Sequence, residues 1–163
     1  MIFKLKNMEV KNKSKKCKKI LYVDLNGVLV DFDGGLKNID KNILKKHNGN
    51  FDNIPDILSK MKPMPGAVEA FKKLSKKFDI YILSTASWDN PLFWSDSVEW
   101  VKKYLGELAY KRLIITHHKE LNKGDYLIDD RLKNGSEKFA GELILFSSER
   151  FPDWKSVLKY LLK

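Results

Sequence analysis

The sequence predicts an α/β fold: a doubly wound, mainly parallel, five-stranded Rossmann-like sheet with a small helical cap inserted after the first strand. Three observations carry this. Short runs rich in Ile, Leu, Val and Tyr are apolar on both faces, the pattern of parallel strands covered by helices on both sides. Helical patterns alternate with those runs, which gives a wound sheet rather than separate layers. The alternation breaks once, between the first run and Pro63-Met64-Pro65-Gly66, where no clear strand is found.

In chain order, the first strand is expected at Lys19–Asp24, and its acid is followed by a glycine turn, Asn26-Gly27. Residues 36–47 look helical, and 51–61 read as a second short helix interrupted at Pro55. Inserted at this point of the chain, residues 33–63 would stand over the carboxyl edge of the sheet as a lid that excludes water. Pro65–Lys77 follows, with Ala67, Ala70, Phe71 and Leu74 on one helical face. The second strand is Asp79–Ser84. A helix is expected over Ser95–Leu105, with Val98, Val101, Tyr104 and Leu105 as its apolar positions. Strands at Arg112–Thr116, Tyr126–Asp129 and Glu142–Phe146 complete the sheet, and Trp154–Leu162 closes the chain behind a cap at Asp153.

Composition bounds the function. The 163 residues, 43% hydrophobic and 12% aromatic, suit one domain with a sizeable core. No apolar run approaches the roughly 20 residues of a membrane helix, so no membrane partner is expected. The single Cys17 makes neither an internal disulfide nor a zinc site, and a cytoplasmic location follows as the expectation. Residues 1–19 hold eight lysines and one glutamate, so +7 of the net +10 lies there. Residues 1–18 therefore read as a basic tail ahead of a domain over 19–163. A lysine run could meet nucleic acid, but it lacks the interleaved aromatics of single-strand binders, and a solvated arm is the simpler reading.

Chemistry-bearing residues recur at the strand ends. Asp24 and Asn26 close the first strand, Ser84-Thr85 the second, Lys119 follows the third, and Asp129-Asp130 close the fourth. Carboxyl ends of parallel strands are where open α/β sheets bind ligands. Acids, a hydroxyl and a lysine on one rim suit phosphoryl transfer. The acids hold a hard cation through oxygen, the hydroxyl and ammonium meet phosphate oxygens, and a free carboxylate attacks phosphorus.

On these residues the chain resembles the haloacid dehalogenase superfamily and, within it, the 5′(3′)-deoxyribonucleotidase (cytosolic type C 5′-nucleotidase) family, especially its bacterial branch. Asp24-Leu25-Asn26-Gly27-Val28-Leu29-Val30-Asp31-Phe32 is similar to its first motif, Tyr81–Ala86 to its second, and Lys119 to its third. Gly124-Asp125-Tyr126-Leu127-Ile128-Asp129-Asp130-Arg131 is similar to its fourth. The resemblance implies Asp24 as nucleophile and Mg2+ held by Asp24, the Asn26 main-chain carbonyl and Asp129 or Asp130. It implies Thr85 and Lys119 on the phosphate, with Ser84 beside them, and nucleoside monophosphates as substrates. Trp88, near the hydroxyl pair, is a further candidate to flank substrate; Phe32 and Phe51 are expected mainly in packing.

The sequence departs from the family at Asn26, where an aspartate ordinarily protonates the leaving alcohol and then activates water. General acid–base help of this kind is worth about 10²–10⁴-fold, and an amide does not supply it. Three accounts stay open: a repurposed member that binds phosphate and turns over poorly, an active phosphatase with another group as the acid (Asp31 and Asp33 are nearest in sequence), or a substitution that stalls the reaction. A non-catalytic nucleotide- or phosphate-binding protein is the alternative on the same fold. A calcium loop at Asp31 fails for want of glycine and glutamate at its sixth and twelfth positions. Adjacent His117 and His118 point apart on an extended segment, against a shared metal. Oligomeric state is not legible in these residues, and a homo-oligomer stays open.

Overall fold

The computed structural model describes residues 17–163. Nearly all of the basic tail, residues 1–16, lies outside them. Five parallel strands form one sheet: β1 (Ile20–Val23), β2 (Asp79–Ser84), β3 (Leu113–Ile115), β4 (Tyr126–Asp129) and β5 (Glu142–Leu145). Their order is β3-β2-β1-β4-β5, so the winding reverses at β1. Val23 pairs with Ile82 on one side and with Ile128 on the other. The end of β1 is therefore the switch point, where an open parallel sheet leaves a crevice.

Among the described residues, five α-helices accompany the sheet: α1 (Phe32–Leu36), α2 (Lys41–His47), α3 (Ala67–Lys77), α4 (Pro91–Leu105) and α5 (Trp154–Leu161). No helix among the described residues is long and apolar enough to cross a membrane. The face of α3 is as expected, with Ala67, Ala70, Phe71 and Leu74 all buried. In α4 the expectation needs correction. The helix starts four residues earlier, with Pro91 in its first turn, where a missing N–H costs nothing. It buries Phe93, Ser97, Trp100, Val101 and Leu105, while Val98 is exposed.

The double winding is as expected, but the cover of the sheet is not symmetrical. Buried residues of α3, α4 and α5 share one core cluster with Leu21, Val23, Ile80, Ile82, Ile128 and Ile144. The opposite face, with Tyr22, Leu83 and Leu127, meets Phe139. There the β3–β4 and β4–β5 connections contain only 3₁₀ turns, Lys119–Leu121 and Ser136–Lys138. Right-handed crossovers put the first two connections on one face and the next two on the other. Neither of the latter connections holds an α-helix. The backbone runs close instead: a Cβ on Gly124 would strike the Tyr22 ring.

The interval after β1 is helical but more broken than expected. The helix expected over 36–47 shrinks to α2, with α1 ending at Leu36 before it: Asp31 caps α1 by accepting the Gly34 N–H (3.0 Å), and Asp40 caps α2 by accepting that of Asn42 (2.7 Å). The helix over 51–61 is replaced by 3₁₀ turns at Phe51–Asn53 and Leu58–Lys60. Pro55 and the left-handed Asp56 (φ 55°) separate them. Two buried tryptophans fasten the interval to the core. Trp154 Nε1 donates to the Val28 carbonyl (3.1 Å), and Trp100 Nε1 to that of Met61 (3.2 Å).

Candidate active site

Asp24 follows β1 directly, and its backbone N–H donates to the Ile128 carbonyl (2.8 Å). That bond ties the end of β1 to β4 and brings Asp24 beside Asp129, more than a hundred residues away in sequence. The turn after Asp24 needs glycine. Gly27 has φ +81°, and a Cβ there would overlap the Asp130 carboxylate. Asp129 is oriented by its own loop, since Arg131 N–H donates to its Oδ1 (3.0 Å).

Lys119 is brought to the same point by the turn after β3. It is 3% exposed, and its Nζ donates to Asp24 Oδ1 at 2.8 Å and also to Asp129 Oδ2. Carboxylate oxygens of Asp24, Asp129 and Asp130 lie within 4.8 Å of one another. Three acids thus face one buried ammonium, with the Arg131 guanidinium 3.3 Å from Asp130 at the rim. The imbalance shows in their proton affinities. Burial raises the Asp24 pKa, which Lys119 only partly offsets. Burial and the neighbouring Asp24 raise Asp129 to about 6. Burial also raises Asp130, against the pull of Arg131. Lys119 is pushed down by burial, but Asp24 and Asp129 outweigh that and its pKa is raised.

A divalent cation fits this arrangement. Buried like charges demand compensation, the donors are all oxygen, and Asp130 Oδ1 is buried without a partner among the described residues. Asn26 is buried as well, 6% exposed, and its side-chain oxygen is another such orphan.

Asp24, Asn26, Thr85, Lys119 and Asp129 line one cleft of about 230 Å³. Thr85 Oγ1 donates to the Thr116 carbonyl (2.8 Å), which sets the hydroxyl at the end of β2. Ser84, one residue earlier, is buried and is not among the lining residues, because successive strand side chains alternate between faces. Trp88 is 79% exposed at the rim, edge-on to His117 with ring centroids 6.0 Å apart, and lines neither this cleft nor its neighbour. Arg131, which also lines the cleft, pairs with the Asp130 carboxylate. Asp31 does not line the cleft, since its carboxylate caps α1, and Asp33 lines a second cleft of about 540 Å³ with Phe32, Phe51 and Asp130.

The lining also includes residues outside the sequence candidates for the site: Asp52, Ser87, His117, Lys133 and Asn134. His117 was weighed only as a metal ligand. Asp52 comes from the interval after β1 and lines both clefts. Its neighbours attach that interval to the segment after β2: Asn90 Nδ2 donates to the carbonyls of Asp52 (2.9 Å) and Ile54 (3.2 Å), and Ser87 Oγ meets Asn53 Oδ1. A lone acid in a loop carries no local signal of such a position.

Solved structures with this fold are haloacid dehalogenase-like hydrolases. One is a hydrolase of that family from Streptococcus pneumoniae (TM-score 0.55, 13% identical, covering 88% of this chain and 91% of that one). Another is a "putative HAD-hydrolase" from Bacillus subtilis, solved bound to magnesium (TM-score 0.60, 11% identical, covering 90% and 99%). The model of the family "5′ nucleotidase, deoxy (Pyrimidine), cytosolic type C protein" matches residues 40–155, a stretch holding Thr85, Lys119, Asp129 and Asp130. A "Putative 5′(3′)-deoxyribonucleotidase" of Vibrio phage KVP40 is 50% identical over 160 residues, 98% of this chain and 94% of that protein. One of the same description from Staphylococcus aureus is 33% identical over 134 residues, 75% of this chain and 73% of that protein. The chain belongs to this 5′-nucleotidase family, and its fold is that of the haloacid dehalogenase-like hydrolases.

Proposed function

We propose that the chain is a Mg2+-dependent phosphomonoesterase acting on nucleoside monophosphates, deoxyribonucleotides first among them, through an aspartyl-phosphate on Asp24. The observation that carries the reading is the meeting of Asp24, Lys119, Asp129 and Asp130 at the carboxyl ends of β1 and β4, in a cleft also lined by Thr85. The descriptions of the phage and staphylococcal relatives supply the substrate class.

Each residue has a task in this reading. Thr85 Oγ and the Lys119 ammonium hold two phosphate oxygens, and Asp24 attacks phosphorus from below. Lys119 also favours the anionic form of Asp24, because its charge partly offsets the burial that favours the neutral acid. Asp24, Asp129, Asp130 and the Asn26 main-chain carbonyl would hold the cation, which supplies charge neutralisation for the phosphoryl oxygens. Residues 33–63 act as a cap over the cleft, which limits water at the reacting atoms. A single exposed cysteine suits work in a reducing cytoplasm.

Phosphate release from a panel of nucleoside monophosphates, with and without Mg2+, tests the reading on the native chain, on Asn26→Asp and on Asp24→Asn. Metal-dependent release that Asp24→Asn abolishes supports it. Absence of release from both the native chain and Asn26→Asp refutes it and leaves a nucleotide-binding protein on the same fold.

A further inference from the structure

We propose that Asp52 is the general acid and base of this site, in the place left by Asn26. The inference rests on the phosphatase reading above. It starts from the direction in which the ester oxygen leaves. In-line displacement puts the leaving oxygen opposite the attacking one. Asp24 attacks from the sheet rim, so the leaving oxygen faces away from the sheet, toward the interval inserted after β1. Asp52 is the residue of that interval that lines the Asp24 cleft. It also lines the adjoining cleft with Phe32 and Phe51, large enough at about 540 Å³ to take the rest of a nucleotide. It therefore stands at the junction the scissile bond would occupy.

Asp52 is also held in place. The Asn90 amide fixes its carbonyl at 2.9 Å, and the next residue is tied to Ser87. Burial raises its pKa, with Arg131 pulling the other way, and a raised carboxyl is the direction a general acid needs. Competing acids are otherwise engaged: Asp31 caps α1, and Asp33 lies outside the Asp24 cleft. His117 lines the cleft too, but from the segment after β3 and not from the interval inserted after β1.

The steps balance. As the Asp24 oxygen bonds to phosphorus and the ester P–O bond breaks, the Asp52 carboxyl gives its proton to the departing alkoxide. Water then bonds to phosphorus, the Asp24–phosphorus bond breaks, and the Asp52 carboxylate takes the proton that water releases.

The test uses two leaving groups on the full-length chain with Mg2+. A nucleoside leaves as a strongly basic alkoxide and needs the proton; nitrophenolate does not. In Asp52→Asn, steady-state nucleoside monophosphate hydrolysis should fall about 10²-fold or more. The first-turnover burst of nitrophenol from p-nitrophenyl phosphate should stay within about twofold, with slow turnover after it. Asn26→Asp added to Asp52→Asn should restore nucleotide hydrolysis. Nucleotide turnover undiminished in Asp52→Asn would overturn the assignment, as would loss of the burst together with turnover, or failure of Asn26→Asp to rescue. If the native chain and Asn26→Asp both leave every nucleotide intact, the phosphatase reading itself falls, and this assignment with it.

Discussion

Replacing Lys119 by methionine removes the buried cation that Asp24 and Asp129 share. Nζ is 2.8 Å from Asp24 and also bonded to Asp129, in side chains only 4%, 8% and 3% exposed. Taking one partner from a buried ion pair costs about 3–5 kcal/mol, mostly the penalty of stranding the charge left behind. In a chain of this size each kcal/mol moves Tm by about 2–4 °C, so a loss of about 6–20 °C is expected. The assay is thermal unfolding by circular dichroism in EDTA, at pH 8 and at pH 5.5. The sign follows from the carboxylates. Asp129 already sits at about 6 in the folded state, well above an unfolded aspartate, and loss of the ammonium raises it further. A raised carboxylate makes the folded state the better proton binder, so stability returns as pH falls through that value. The Tm gap between native and Lys119→Met should therefore be wide at pH 8 and narrower at pH 5.5. A Lys119→Met protein that melts within about 2 °C of the native one at pH 8, a shift of under about 1 kcal/mol, would refute the view that Lys119 offsets buried charge.

Other expectations follow from the same geometry. Mg2+ should raise Tm strongly at pH 7.5 and weakly at pH 5.5, because protons compete for Asp129 below about 6 and for its raised neighbours; an equal shift at both pH values would tell against these ligands. Gly27→Ala pays about 1–2 kcal/mol for its left-handed backbone and crowds the Asp130 carboxylate, so isothermal titration should show weakened Mg2+ binding in a folded protein. Asn90→Ala leaves the Asp52 and Ile54 carbonyls without their donor, at about 1–3 kcal/mol, and limited proteolysis should cut faster within residues 48–60. In α5, Asp153 accepts the Ser156 N–H at 2.9 Å in a capping box, and that bond holds its pKa down. Asp153→Ala should lower Tm at pH 7, and the gap should close in acid as pH falls through the depressed value.

Strand positions, the buried face of α3, the Asp153 cap of α5, and the acids, hydroxyl and lysine at strand ends could all be read from the sequence because each is a local property. Apolar runs, helical periodicity and an acid before a glycine turn do not depend on what lies across the sheet. Asp24, Thr85, Lys119, Asp129 and Asp130 were found in this way. The broken helices after β1 were legible in principle, since Asp31 and Asp40 are ordinary N-cap residues, and so was the start of α4 at Pro91. Tertiary structure alone decided the rest. Strand order places β4 against β1, and only that pairing lets one lysine bridge Asp24 and Asp129 and lets Gly27 abut Asp130. Right-handed crossovers of unequal length decided that helices cover one face and short turns the other. Asp52 reaches the cleft because Asn90 and Ser87, distant in sequence, hold its loop there. Such proximities come from long-range packing, and no local pattern of residues encodes them.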